Sequence, residues 1–122
     1  MYRAGIAVVL GGLFAAQSAM AGEPEVVSAV IERTGRDTYI IHASIRHADT
    51  GWDHYADRWD VLAPDGTVLS TRTLLHPHVD EQPFTRSQPE IVIPKEIGQV
   101  IVRAHDSVHG YGAKTVTLDV PH

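Results

Sequence analysis

Cysteine is absent from all 122 residues, and the two methionines, Met1 and Met20, both lie at the amino-terminal end. The remaining chain has no disulfide, no thiolate nucleophile and no sulfur ligand. A cupredoxin-type copper site, which needs a cysteine thiolate, is excluded, and Cu(I), which prefers thiolate and thioether, is poorly served. Basic clusters are missing too. Ten Lys and Arg against fifteen Asp and Glu give a net charge of −5, which argues against nucleic acid and anionic membrane surfaces as partners. No apolar run reaches the roughly 20 residues that span a bilayer. Without disulfides, stability has to come from the core, helped by any bound ion.

One apolar run is nevertheless informative. Arg3 precedes Ala4 to Ala16, followed by Gln17-Ser18 and then Ala19-Met20-Ala21. A short positive region, an apolar region and an A-x-A site are the parts of a secretory signal peptide. Residues 1–21 are therefore expected to be cleaved, with no membrane insertion afterwards. The mature chain, 22–122, has 101 residues and a charge of −6 once Arg3 is gone. That length suits one domain, exported to the periplasm or secreted.

Turn signals recur at short intervals, and the segments between them alternate with period two. Val27, Ala29 and Ile31 form one such set, and Tyr39, Ile41, Ala43 and Ile45 another. Trp59 and Val61 lead to the Pro64-Asp65-Gly66 turn, and Val68 to Leu75 is rich in Thr and Leu. Glu90 to Ile93 is short, Val100, Val102 and Ala104 alternate, and so do Val116, Leu118 and Val120. No helical stretch competes. Seven short strands in about 100 residues predict an all-β, seven-stranded antiparallel sandwich, like immunoglobulin or fibronectin type III domains. Trp59 fits the large core aromatic of the third strand. A Greek-key barrel is the competing architecture.

With the strands named A to G, the A–B, C–D and E–F connections fall at one end of such a sandwich. They are TGRD, PDG and PKEIG, and none holds a histidine. The B–C, D–E and F–G connections are HADTGWDHY, HPHVDEQPFTRSQ and HDSVHGYG. They carry His47, His54, His76, His78, His105 and His109, six of the eight histidines, at one pole. Long loops on a rigid scaffold are where function usually sits. In His76-Pro77-His78 the residue before proline is pushed toward extended geometry, where residues two apart project to one side. Both imidazoles can then face one ion. His42 lies mid-strand on the solvent face and His122 is terminal, so both are left out.

Imidazole suits Zn(II) or Cu(II), whereas an all-oxygen Ca(II) or Mg(II) site would not require histidines. The candidate ligands are His54, His76, His78 and His109, then His47 and Asp106, with His105 behind them because its strand parity points outward. Asp106 shares the inward parity of Val100, Val102 and Ala104, and an inward acid needs a partner. Asp49 and Asp53 read as charge balance on a polar loop. A metal-dependent hydrolase would need a base, Asp80 or Glu81, and a substrate cleft. A 101-residue sandwich with short loops offers little cleft, so no enzyme is expected. Ser107 beside His105 and Asp106 is no triad, because strand neighbours face opposite ways.

The segments GWDHYADRWDV, HPHVDEQPFTR and HDSVHGYG together resemble a group of small exported bacterial proteins of unassigned activity. The resemblance spans most of the mature chain and implies that the three loops form a unit. The first reading is thus an extracytoplasmic Zn(II)- or Cu(II)-binding protein. Its expectation is that metal raises the melting temperature and that removing His76 and His78 abolishes the gain. The alternative is an interaction module for another extracytoplasmic protein or a ligand, without metal. It would use the same histidines with Trp52, Tyr55, Phe84 and Tyr111.

Overall fold

The computed structural model describes residues 22–122. The expected signal peptide, Met1–Ala21, lies outside the described residues. Eight strands occur in order: β1 (Glu25–Arg33), β2 (Thr38–Arg46), β3 (Ala56–Leu62), β4 (Val68–Thr73), β5 (Phe84–Val92), β6 (Gln99–Asp106), β7 (Gly110–Tyr111) and β8 (Val116–Asp119). One sheet runs β1-β2-β5, and the other runs β4-β3-β6, with β7 and β8 both pairing with β6. Every pairing between named strands is antiparallel. The all-β sandwich expected from the alternation is what forms, with the two-residue β7 added to the seven strands. In immunoglobulin constant-type domains the fourth strand joins the first, second and fifth. Here the tight Ala63–Thr67 turn, closed by Ala63 N–H to Thr67 O at 2.8 Å, returns β4 beside β3.

The inward sets form one core. Tyr39, Ile41, Ala43 and Ile45 of β2 face Trp59 and Val61 of β3 and Val100, Val102 and Ala104 of β6, and all are buried. At β1 the alternation misleads by one residue. Val26 is buried and Val27 is not, because the register slips between Val26 and Ser28 and leaves Val27 in a bulge. A bulge puts two residues opposite one and turns the side chains over.

Strand β5 begins earlier than its composition suggests. Phe84 to Gln88, expected in the D–E loop, are strand residues paired with Ile45 to Ile41. Polar Thr85, Ser87 and Gln88 are tolerated because β5 is a sheet edge. Pro89 sits on that edge, and Glu90 has φ +57°, within a register slip between Tyr39 and Ile41. Both open sides of the sandwich are laced. Arg72 of β4 donates to the Ser87 carbonyl at 2.7 Å, and Gln88 Nε2 donates to Ser70 Oγ at 3.0 Å. On the other side Val26 N–H donates to the Lys114 carbonyl at 3.1 Å.

Candidate metal centre

The F–G hairpin builds the centre from Asp106 outward. Asp106 ends β6 on the inward parity and is fully buried. Its Oδ1 accepts the amides of Val108, at 2.8 Å, and of His109. Gly110, at φ +83°, then lets the chain reverse so that Tyr111 pairs with His105. A carboxylate bonding the amides two and three residues on, with glycine in the left-handed region, is ordinary turn chemistry. Here it folds His109 back until its Nδ1 lies 3.1 Å from Asp106 Oδ2.

The B–C loop supplies two more imidazoles. His47 follows Ile45 by two residues, keeps its inward parity and has no exposed side-chain surface. His54 is set by a turn in which its amide donates to the Gly51 carbonyl at 3.2 Å and its own carbonyl accepts from Thr50 at 3.0 Å. His47 Nε2 comes to 3.0 Å from Asp106 Oδ2, and His54 Nε2 comes to 3.2 Å from it. His54 Nε2 and His109 Nδ1 are 3.1 Å apart.

One carboxylate oxygen thus faces three imidazole nitrogens while its twin already accepts two amides. Burial works against the Asp106 charge. The amide and ring of His109, the Val108 amide and His54 outweigh it and hold the carboxyl well below the usual carboxylate range. His47, His54 and Asp106 form a group able to hold a metal ion, and His109 reaches two of these three. Zinc–nitrogen bonds near 2.0–2.1 Å in a tetrahedron separate ligand atoms by roughly 3.3 Å. The observed 3.0–3.2 Å separations need to open by only a few tenths of an ångström. His54 and His109 keep 22% and 34% of their side-chain surface exposed, so an ion can enter from that edge.

Asp49 holds this arrangement from behind. Its Oδ1 lies 2.5 Å from His47 Nδ1 and accepts the Ala56 amide at 3.2 Å, and its Oδ2 accepts the His78 amide at 2.7 Å. With an ion bound, Nδ1–H given to Asp49 would leave the Nε2 lone pair of His47 for the metal, the usual carboxylate–histidine–metal order. Expected as loop charge balance, Asp49 is instead buried and triply bonded. The His47-x-Asp49 spacing was its only trace in the sequence.

The H-x-H pair does not join the group. His76 and His78 do lie together, with ring centroids 4.6 Å apart, but His76 Nδ1 turns to the Pro77 carbonyl at 2.9 Å. His78 stacks on Phe84 at 3.9 Å, and its Nε2 lies 3.0 Å from Arg86. The contribution of the D–E loop is mostly backbone. The His78 amide holds Asp49, the His78 carbonyl accepts from Gln82 Nε2 at 2.9 Å, and Gln82 Oε1 accepts the His47 amide at 2.9 Å. Three loops meet through these bonds, as the sandwich assignment implied. Of the remaining histidines, His105 pairs with Asp57 at 2.6 Å, His42 bonds Ser87 at 2.6 Å, and His122 bonds Tyr39 at 2.9 Å. Glu81, a candidate base, pairs with Arg86 at 3.3 Å.

Burial, then the Arg86 charge and His76, push the His78 imidazole below its ordinary value. A histidine that resists protonation when folded supports the fold above the unfolded value of ~6.5. That support is lost as pH falls below it. In an NMR titration His78 should protonate with its midpoint below ~6.5. A midpoint at or above that value would contradict the packing described.

No family model matches the chain, and no solved structure matches it. Over 97 residues the chain is 38% identical to a protein of Halomicrobium mukohataei described as a "Putative lipoprotein". The match covers 80% of this chain and 47% of that protein, so the chain spans about half the length of this relative.

Proposed function

We propose that this protein binds a transition-metal ion, Zn(II) or Cu(II), outside the cytoplasm, and that it binds rather than catalyses. The convergence of His47 Nε2, His54 Nε2 and His109 Nδ1 on Asp106 Oδ2 at 3.0–3.2 Å carries the reading. Three imidazoles and a carboxylate, with no sulfur, suit a borderline divalent ion. Asp49 behind His47 would orient that imidazole toward the ion. The description of the Halomicrobium mukohataei relative as a lipoprotein supports the exported half of the proposal, as does the A-x-A segment. Among the described residues no helix is long and apolar enough to cross a membrane.

Protein purified without a nickel column should carry about one equivalent of Zn or Cu by elemental analysis. Added metal should raise the melting temperature, since a ligand at a hundredfold excess over its dissociation constant stabilises the folded state by about 2.7 kcal/mol. His54→Ala and His109→Ala should lose the gain. His76→Ala should keep it, because its ring faces Pro77. Melting curves unchanged by either metal would leave the second reading in front, an interaction surface without an ion. Four exposed apolar side chains of the same loops favour that one: Trp52, Leu75, Val79 and Val108.

A further inference from the structure

Gly22 lies beside every imidazole of the centre. Its carbonyl oxygen lies 2.7 Å from His47 Nε2. A Cβ at this position would lie 2.7 Å from His109 Cε1, 3.2 Å from His54 Cε1 and 3.3 Å from His109 Nδ1. No other residue type fits here without moving a ligand.

The segment that follows is pinned. Glu23 Oε1 accepts the Ala113 amide at 3.2 Å, and the Pro24 carbonyl packs on Gly112, where no Cβ has room. Glu25 pairs with Lys114 at 3.6 Å, and Val26 N–H bonds the Lys114 carbonyl at 3.1 Å. Residue 22 is therefore held against the histidines by contacts of the residues that follow it.

From this placement we propose that the α-amino group of Gly22, released by cleavage after Ala21, is a further ligand of the ion. The inference rests on the metal-binding reading and on the A-x-A segment that ends at Ala21. Hydrolysis of the Ala21–Gly22 peptide bond consumes one water, leaving a carboxylate on Ala21 and an amine on Gly22. A peptide nitrogen has its lone pair in the amide and is a poor donor, whereas a primary amine is a nitrogen donor of the class Zn(II) and Cu(II) accept. Amine and carbonyl oxygen of one glycine can close a five-membered ring on a single ion. Export processing then does more than trim the chain: it completes the site.

The test compares two chains cut from the same fusion, one starting at Gly22 and one carrying a single alanine before it. Each is titrated with Cu(II) and with Zn(II) against a chromophoric chelator, with and without His54→Ala. Metal-free melting curves establish that both chains fold alike, and intact mass fixes the start of the exported protein. The expected result is at least tenfold weaker Cu(II) binding by the extended chain, with one fewer nitrogen in the Cu(II) electron paramagnetic resonance spectrum. His54→Ala should weaken binding in both. Equal affinity and equal spectra in the two chains would overturn the amine ligand while leaving the histidine site standing. An exported protein that starts elsewhere would overturn it as well. Failure of the Gly22 chain to bind either metal would remove both proposals.

Discussion

Asp106→Ala should destabilise the protein by about 3–5 kcal/mol, the range seen when one partner of a buried ionic network is removed. The loss has identifiable parts. The amides of Val108 and His109 lose their acceptor, so the turn that carries His109 loses its tie. His47, with no exposed side-chain surface, keeps Asp49 on one nitrogen but loses the carboxylate on the other. Asp106→Asn separates fold from function. Its side-chain oxygen can still accept the two amides, so the hairpin should survive, while its amide group brings no negative charge to the imidazoles. Chemical denaturation should find the asparagine variant much closer to the parent than the alanine variant. Metal titration should find both defective. An alanine variant as stable as the parent would mean that the turn does not depend on the carboxylate.

The second large effect is expected at Asp49, whose change to alanine leaves the His78 and Ala56 amides and His47 Nδ1 without their acceptor. Each buried polar group left unmade costs about 1–3 kcal/mol, and solvent entering the loop will recover part of it, so a total near 3 kcal/mol is reasonable. The variant also separates the roles of the two acids. Asp49 touches no ion in the arrangement proposed, yet losing the partner that orients a metal-bound histidine typically costs 10–100-fold in affinity. Denaturant midpoints and metal competition, measured on the same preparation, check both halves. A variant with parental affinity would show that His47 needs no support from behind.

How far the sequence carried depended on the range of the interaction concerned. Alternation in β2, β6 and β8 reports directly on which face is buried, so Tyr39, Ile41, Val100, Val102, Val116 and Leu118 were readable as core. Asp106 was readable by the same parity, being two residues past Ala104 and inward like it. Bulges were not readable. Val27 and the Pro89-Glu90 step each add a residue that shifts the pattern, and pairing across strands decides where that residue goes. The topology brought the right loops together, but local spacing gave too much weight to the H-x-H segment. Histidines two apart look like a chelate in the sequence, yet stacking of His78 on Phe84 and the bond to Arg86 are long-range facts. Asp49 and Gly22 were hidden for the same reason. The A-x-A segment before Gly22 and the His47-x-Asp49 spacing do not reveal their contacts, because each residue matters through atoms that other loops bring to it.

The laced sides of the sandwich bear on how this chain behaves among copies of itself. A free sheet edge offers a row of unpaired amides and carbonyls on which another strand can grow. Along β5 that row is broken in three ways: Arg72 occupies the Ser87 carbonyl, Pro89 has no N–H to offer, and Glu90 bends the backbone out of the pleat. Edge-to-edge stacking through β5 therefore has no continuous template. For a protein without a disulfide to lock its native pairing, an interrupted edge of this kind is a means of staying dispersed while it folds.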